Sequence, residues 1–158
     1  MSEEITEIFR KNLTYRFSAA HRLTSSFKES EKCIHGHDYK VDIVFQSDEL
    51  NQDGEIFNSD FLYQICENRL GVFNNGLILF NRDPLVEKGI EKIVKKEFSP
   101  IINIGLIPVP FKPTNENLAK FFFEYIESIL YANEDLRCIQ IVSVRISTGD
   151  EWAEYKKY

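Results

Sequence analysis

The chain holds three histidines, His21, His35 and His37, and the last two fall in the tripeptide His35-Gly36-His37. In extended backbone alternate side chains share a face, so His35 and His37 project together and Gly36 leaves room between them. An imidazole from a neighbouring strand completes a facial set of nitrogens. Three neutral nitrogens with an open fourth position hold a catalytic zinc, and imidazole suits a metal that polarises a substrate oxygen. The spacing therefore predicts a Zn2+ site on His21, His35 and His37, against the plainer reading of polar residues on strand surfaces.

Elements able to position these residues are legible on both sides. Leu13, Tyr15 and Phe17 alternate with Thr14, Arg16 and Ser18, which predicts a half-buried strand ending at His21. Residues 24–32 are polar and loop-like. Beyond them Tyr39, Val41, Ile43 and Phe45 alternate with Lys40, Asp42, Val44 and Gln46, a second strand that delivers His35 and His37. An antiparallel pairing of the two brings all three histidines together. Asn58-Ser59-Asp60 reads as a helix start, with Phe61, Leu62, Ile65, Cys66 and Leu70 on one buried face. Asp83-Pro84 starts a second helix, with Val86, Ile90, Ile93 and Val94 as its stripe and Gly89 as its weak point. Pro100, Pro108, Pro110 and Pro113 leave room only for a short or edge strand. A longer helix runs from Thr114 or Asn115 to about Ala132, burying Leu118, Phe122, Ile126, Ile129 and Leu130. Strand material follows at 139–146 and around 152–155. The main order is ββααββ, an α+β layer with an antiparallel sheet and two principal helices on one face.

Composition narrows the function classes. With 158 residues the chain has the size of one domain, and 19 basic against 25 acidic residues give a formal charge of -6. No basic excess is available to displace counterions, which argues against nucleic acid as a partner. No stretch is long and apolar enough for a membrane span. Met1-Ser2-Glu3-Glu4-Ile5 is acidic where a signal peptide is basic and then apolar, so a cytoplasmic location is expected. Cys33, Cys66 and Cys138 are odd in number and irregularly spaced, so free thiols are expected, Cys66 in the core.

Phe17-Ser18-Ala19-Ala20-His21-Arg22-Leu23, with Cys33 ahead of His35-Gly36-His37-Asp38-Tyr39, resembles the 6-pyruvoyl-tetrahydropterin synthase and 6-carboxy-tetrahydropterin synthase (QueD) family. Other segments keep that family's order. Residues 73–84 look like the stretch where the family has Leu-Asp-His, apolar residues and Asp-Pro. Pro113-Thr114-Asn115-Glu116-Asn117-Leu118-Ala119 looks like its Pro-Thr-x-Glu-Asn-Leu-Ala helix start, and 144–155 like its closing strand pair. The resemblance runs nearly end to end. It implies a T-fold (tunnelling fold) over residues 1–158, assembled as a homo-hexamer of two trimers with sites between subunits.

The resemblance also implies a lyase acting on 7,8-dihydroneopterin triphosphate. Zinc binds the side-chain hydroxyls of that pterin and stabilises enolate charge while triphosphate leaves. In the family a cysteine before the His-Gly-His motif carries the proton, an Asp-His pair supports it, and a late-strand glutamate anchors the pterin. Here the Asp-His positions read Asn74-Asn75, and the anchoring position reads Ser147. Asparagine carries no proton at neutral pH, and one hydroxyl cannot make a bidentate charged contact. Cys33 stands two residues before His35, whereas the common spacing of four falls on Glu31, a residue type some members use there. Cys33 and Glu31 are therefore the catalytic candidates. Thr114 and Glu116 match positions that contact the pterin, although Thr114 also suits a helix cap and Glu116 a first turn. Arg22, Lys28 and Lys32 are candidates to meet a triphosphate, and Asp150 or Glu151 to replace the missing anchor. Two functions follow: a zinc-dependent tetrahydropterin-synthase-type lyase, or a zinc-binding T-fold paralogue without that catalysis, with a ligand-binding or structural role.

Overall fold

In the computed structural model, residues 7–98 and 103–158 are described. The readings on the first five residues and on Pro100 lie outside them. The alternation of apolar and polar residues that predicts the first strand produces β1 (Phe9–His21), with Tyr15, Phe17, Ala19 and His21 all buried. β2 (His35–Ser47) pairs with it antiparallel over its full length, from Phe9 opposite Ser47 to His21 opposite His35. That register sets Ala19 opposite His37, so all three imidazoles collect at one end of the ribbon. β5 (Gln140–Thr148) joins the far side of β2, and β6 (Glu151–Lys156) closes an antiparallel hairpin with β5.

These four strands are the expected antiparallel sheet, and two more extend it. β3 (Gly76–Phe80) pairs parallel to β1, and β4 (Leu106–Val109) parallel to β3, giving the order β4-β3-β1-β2-β5-β6. The sheet is thus mixed. β3 escapes the alternation test because it reads Gly-Leu-Ile-Leu-Phe, apolar on both faces as a buried parallel strand is. β4 is the short edge strand that the prolines permit, with Pro108 inside it.

Helices fill one side. α1 (Glu29–Lys32) is a single turn within the polar loop. α2 (Ser59–Leu70) starts where Asn58 Oδ1 accepts from Phe61 N, and it buries Leu62, Ile65, Cys66 and Leu70. Phe61, expected on that face, is instead 38% exposed and packs against Phe57 with ring centroids 5.3 Å apart. The helix expected from Asp83 onward is two pieces, α3 (Pro84–Glu87) and α4 (Ile90–Phe98). Gly89 between them has φ +70°, a left-handed conformation that ends the first helix and that few other residues adopt. Neither piece buries a residue, so α2 and α5 (Asn115–Ala132) are the principal helices. α5 is capped by Thr114 Oγ1 and buries Leu118, Ala119, Phe122, Phe123, Ile126 and Leu130, with Ile129 only partly covered. Each large apolar side chain so buried contributes about 1.5–3 kcal/mol. Among the described residues no helix is long and apolar enough to cross a membrane.

Candidate functional site

The three imidazoles meet where β1 ends and β2 begins. Their ligating nitrogens all lie within 4.8 Å of one another. His21 Nδ1 is 2.8 Å from the Pro113 carbonyl and His35 Nδ1 is 2.9 Å from the Cys33 carbonyl. A carbonyl oxygen only accepts, so each Nδ1 carries a proton and donates it. Both Nε2 atoms are then lone pairs, and they face each other at 3.0 Å. Two lone pairs at that separation repel unless a cation lies between them, and with His37 beside them the donor set fits a divalent metal. Burial, with the neighbouring His35 and His37, pushes His21 down to about 4, although the Pro113 carbonyl and Glu31 pull the other way. Burial and His35 lower His37 as well. His21 and His37 are therefore neutral near pH 7, as ligation requires.

Beside the histidines opens a cleft of about 510 Å³. Its walls bring together Glu31 and Lys28 from the loop before β2, Thr114, Asn115 and Glu116 at the start of α5, and Thr148, Glu151 and Trp152 from the β5–β6 hairpin. Glu31 is held by a hydrogen bond from Ser26 Oγ, with Lys28 Nζ 3.9 Å away. Thr114 both lines the cleft and caps α5, accepting from Asn117 N at 3.3 Å, so the structural and site readings coincide. Pro113, the residue before it, holds His21 through its carbonyl, so the α5 start orients one imidazole and walls the cleft.

Other candidates are elsewhere. Cys33 is exposed and does not line the cleft, and only its backbone carbonyl reaches the site, as the acceptor for His35. Arg22 is spent on Asp83, with Nε to Oδ2 at 2.8 Å and an Nη to Oδ1 at 2.5 Å, and Asp83 is only 2% exposed. Burial alone would raise Asp83, but the Arg22 fork and Leu85 N hold it below the usual carboxylate range. Lys32 pairs with Glu29 at 2.7 Å outside the cleft. Asn74 Oδ1 accepts from Ser18 N at 3.1 Å, and Asn75, at φ +59°, donates its own N–H to the Ser18 carbonyl at 2.6 Å. Ser147 pairs with Lys40 and Trp152 across the strands and does not line the cleft, nor does Asp150.

Asn115, Thr148 and Trp152 are wall residues that sequence reasoning did not select. Asn115 Nδ2 donates to Thr148 Oγ1 at 2.9 Å, tying the helix start to the hairpin. For Thr148 strand alternation carried the signal, because it shares the face of the buried Ile146.

Comparison with known proteins agrees with this geometry. A profile described as 6-pyruvoyl tetrahydropterin synthase matches residues 11–158. A 6-carboxy-5,6,7,8-tetrahydropterin synthase of Aquifex aeolicus is 26% identical over 153 residues, 95% of this chain and 90% of the relative. Among solved structures, an uncharacterised protein of Wolinella succinogenes superimposes with a TM-score of 0.79 at 22% identity, over 96% of this chain and 99% of that one. A Plasmodium vivax 6-pyruvoyltetrahydropterin synthase, solved as a variant of its catalytic glutamate, gives 0.64 at 14% identity over 96% and 98% of the two chains. Matched along nearly its whole length, with the fold those structures share, the chain belongs to the 6-pyruvoyl tetrahydropterin synthase family.

Proposed function

We propose that the protein is a zinc-dependent carbon–oxygen lyase of the 6-pyruvoyl- or 6-carboxy-tetrahydropterin synthase type, acting on 7,8-dihydroneopterin triphosphate or a related pterin. The observation that carries this reading is the convergence of three imidazole nitrogens at one end of a cleft that also contains Glu31, Thr114 and Glu116. His21, His35 and His37 would hold the ion, which when bound supplies Lewis-acid polarisation of a substrate oxygen. Glu31 accepts the proton lost from the substrate side chain, its carboxylate steadied by Ser26. Its place in the cleft supports Glu31 over Cys33, as does the catalytic glutamate of the Plasmodium vivax enzyme. Thr114 and Glu116 bind the pterin. The reading includes one domain over residues 1–158 and a cytoplasmic hexamer of two trimers. Zinc-loaded protein should consume dihydroneopterin triphosphate and release triphosphate, and His35→Ala should do neither. Absence of turnover across the pterin triphosphates would overturn it.

A second reading rests on Asn74 and Asn75, which serve the backbone of β1 and leave the family's proton-relay positions without a titratable group. In it the protein is a metal-binding paralogue with a ligand-binding or structural role. Asn74→Asp, Asn75→His and Ser147→Glu together would then create turnover in a protein that otherwise has none.

A further inference from the structure

We propose that Tyr39 is a positioning residue of the metal site, its ring setting the plane of the His37 imidazole. The inference rests on the metal reading of the three histidines and goes beyond it to what holds the third of them. Two of the imidazoles are oriented by backbone carbonyls, His21 by Pro113 and His35 by Cys33. Such acceptors are the usual means by which a ligating histidine is fixed. His37 has none: among the described residues, the histidine ring hydrogen bonds are those of His21 and His35 alone. Across the ribbon from His37 stands Ala19, a side chain too small to wedge the ring.

Packing takes the place of that hydrogen bond. Tyr39 follows His37 by two residues on β2, so the two side chains share a face of the strand. Their rings meet nearly perpendicular, at 80° with centroids 5.8 Å apart, a preferred geometry of aromatic pairs. The Tyr39 ring also stands at 87° to His21, 6.1 Å away. His21 and His35 are the other ring neighbours of His37, but they are the ligands against which it must be placed. Tyr39 is itself locked: it is 1% exposed and stacks on Phe17, its cross-strand partner, at 4.8 Å and 10°. Phe17 in turn packs against Phe73 and Phe122, so the plane of His37 is referred to the core. The phenol oxygen is buried without a hydrogen-bond partner among the described residues, which leaves the role to the ring. Tyr39 does not line the cleft, so it acts through His37 and not on a ligand.

The test loads full-length protein with Co2+ in place of zinc, because its visible absorption reports the geometry of its ligands, and measures affinity by competition with a chelator. Tyr39→Leu should weaken Co2+ binding roughly 10- to 100-fold, the range for outer groups that orient a ligand, and should alter the spectrum. Tyr39→Phe keeps the ring and should match the wild type in both. Phe45→Leu removes an equally buried aromatic ring at the opposite end of β2, controls for weakened packing, and should bind with wild-type affinity and spectrum. A Tyr39→Leu protein that matches the wild type overturns the assignment and leaves the metal reading standing. Loss of binding in Tyr39→Phe as well, or an equal change in Phe45→Leu, also overturns it. A wild type that takes up no Co2+ overturns both. If Tyr39→Leu does not fold, proton NMR of the wild type decides: contacts between the Tyr39 and His37 rings are expected, and their absence overturns the assignment.

Discussion

The histidine cleft and the Asn74-Asn75 turn both lie at the end of β1, yet hydrogen bonds run in opposite directions at the two places. In the cleft the backbone serves side chains: the Pro113 and Cys33 carbonyls fix the tautomers of His21 and His35 and leave both Nε2 atoms free. In the turn a side chain serves the backbone, Asn74 Oδ1 taking Ser18 N, and Asn75 supplies a left-handed corner that lets its N–H reach Ser18 O. A polar residue is available for chemistry where its surroundings have already met the backbone's needs. Where it meets those needs itself, its chemistry is spent.

The largest effect should come from the side chains that are served. His35→Ala removes a nitrogen from the cluster, and metal affinity should fall by more than the roughly 10- to 100-fold typical of changes one shell out. A competition titration against a chelator measures it. Retained affinity would mean that the facing nitrogens are not a ligand set. Next comes the split between Glu31 and Cys33. Glu31→Gln removes a proton acceptor that lines the cleft, so turnover should fall by about 10²–10⁴. Cys33→Ala keeps the carbonyl that holds His35 and should stay within about threefold of wild type, because only the backbone of residue 33 reaches the site. The reverse ranking would sink the assignment of Glu31.

Between these extremes lies the Arg22–Asp83 pair, two side chains that serve each other. Asp83→Asn keeps the helix cap but removes the charge, leaving a mostly buried guanidinium unpaired, and should cost about 3 kcal/mol at pH 7. The sign of its pH dependence follows from the lowered Asp83 value. A carboxyl with a depressed folded pKa stabilises the fold fully above its unfolded value and loses that contribution as pH falls through the folded one. Wild type and Asp83→Asn should therefore differ most near neutral pH and converge below the usual carboxylate range. Chemical denaturation at several pH values would show it, and a gap that widens in acid would contradict the pairing.

The sequence made the cleft legible on one strand pair and obscure elsewhere, for physical reasons. Alternation marks β1 and β2, and a full-length antiparallel register then has no freedom in where it places His21, His35 and His37. β3 carries no such signal because both its faces are buried, and with it went the parallel half of the sheet. Arg22 looked like a free cation because its partner is 61 residues away. Cys33 and Glu31 are both candidates by spacing, and spacing along the chain does not reveal that the Cys33 carbonyl meets His35 while the exposed residue stays off the cleft wall. Glu151 and Asp150 are equivalent as letters, and the fold places only Glu151 on the cleft wall.

The smallest effects belong to the turn, and they test whether its asparagines are structural. Asn74→Ala removes the acceptor for Ser18 N and should cost about 1 kcal/mol, the usual worth of one such hydrogen bond. Asn75→Ala puts a Cβ-bearing residue with no local hydrogen-bonding compensation at φ +59° and should cost a similar ~1 kcal/mol, whereas Asn75→Gly accepts that angle freely and should be near neutral. Both asparagines lie outside the cleft walls, so metal affinity should not move in any of the three. The order Gly above Ala at position 75 is what backbone geometry demands. If instead Asn75→Gly were as damaging as Asn75→Ala and metal affinity dropped with it, the side chain would be working for the cleft, and the contrast between the two places would fail.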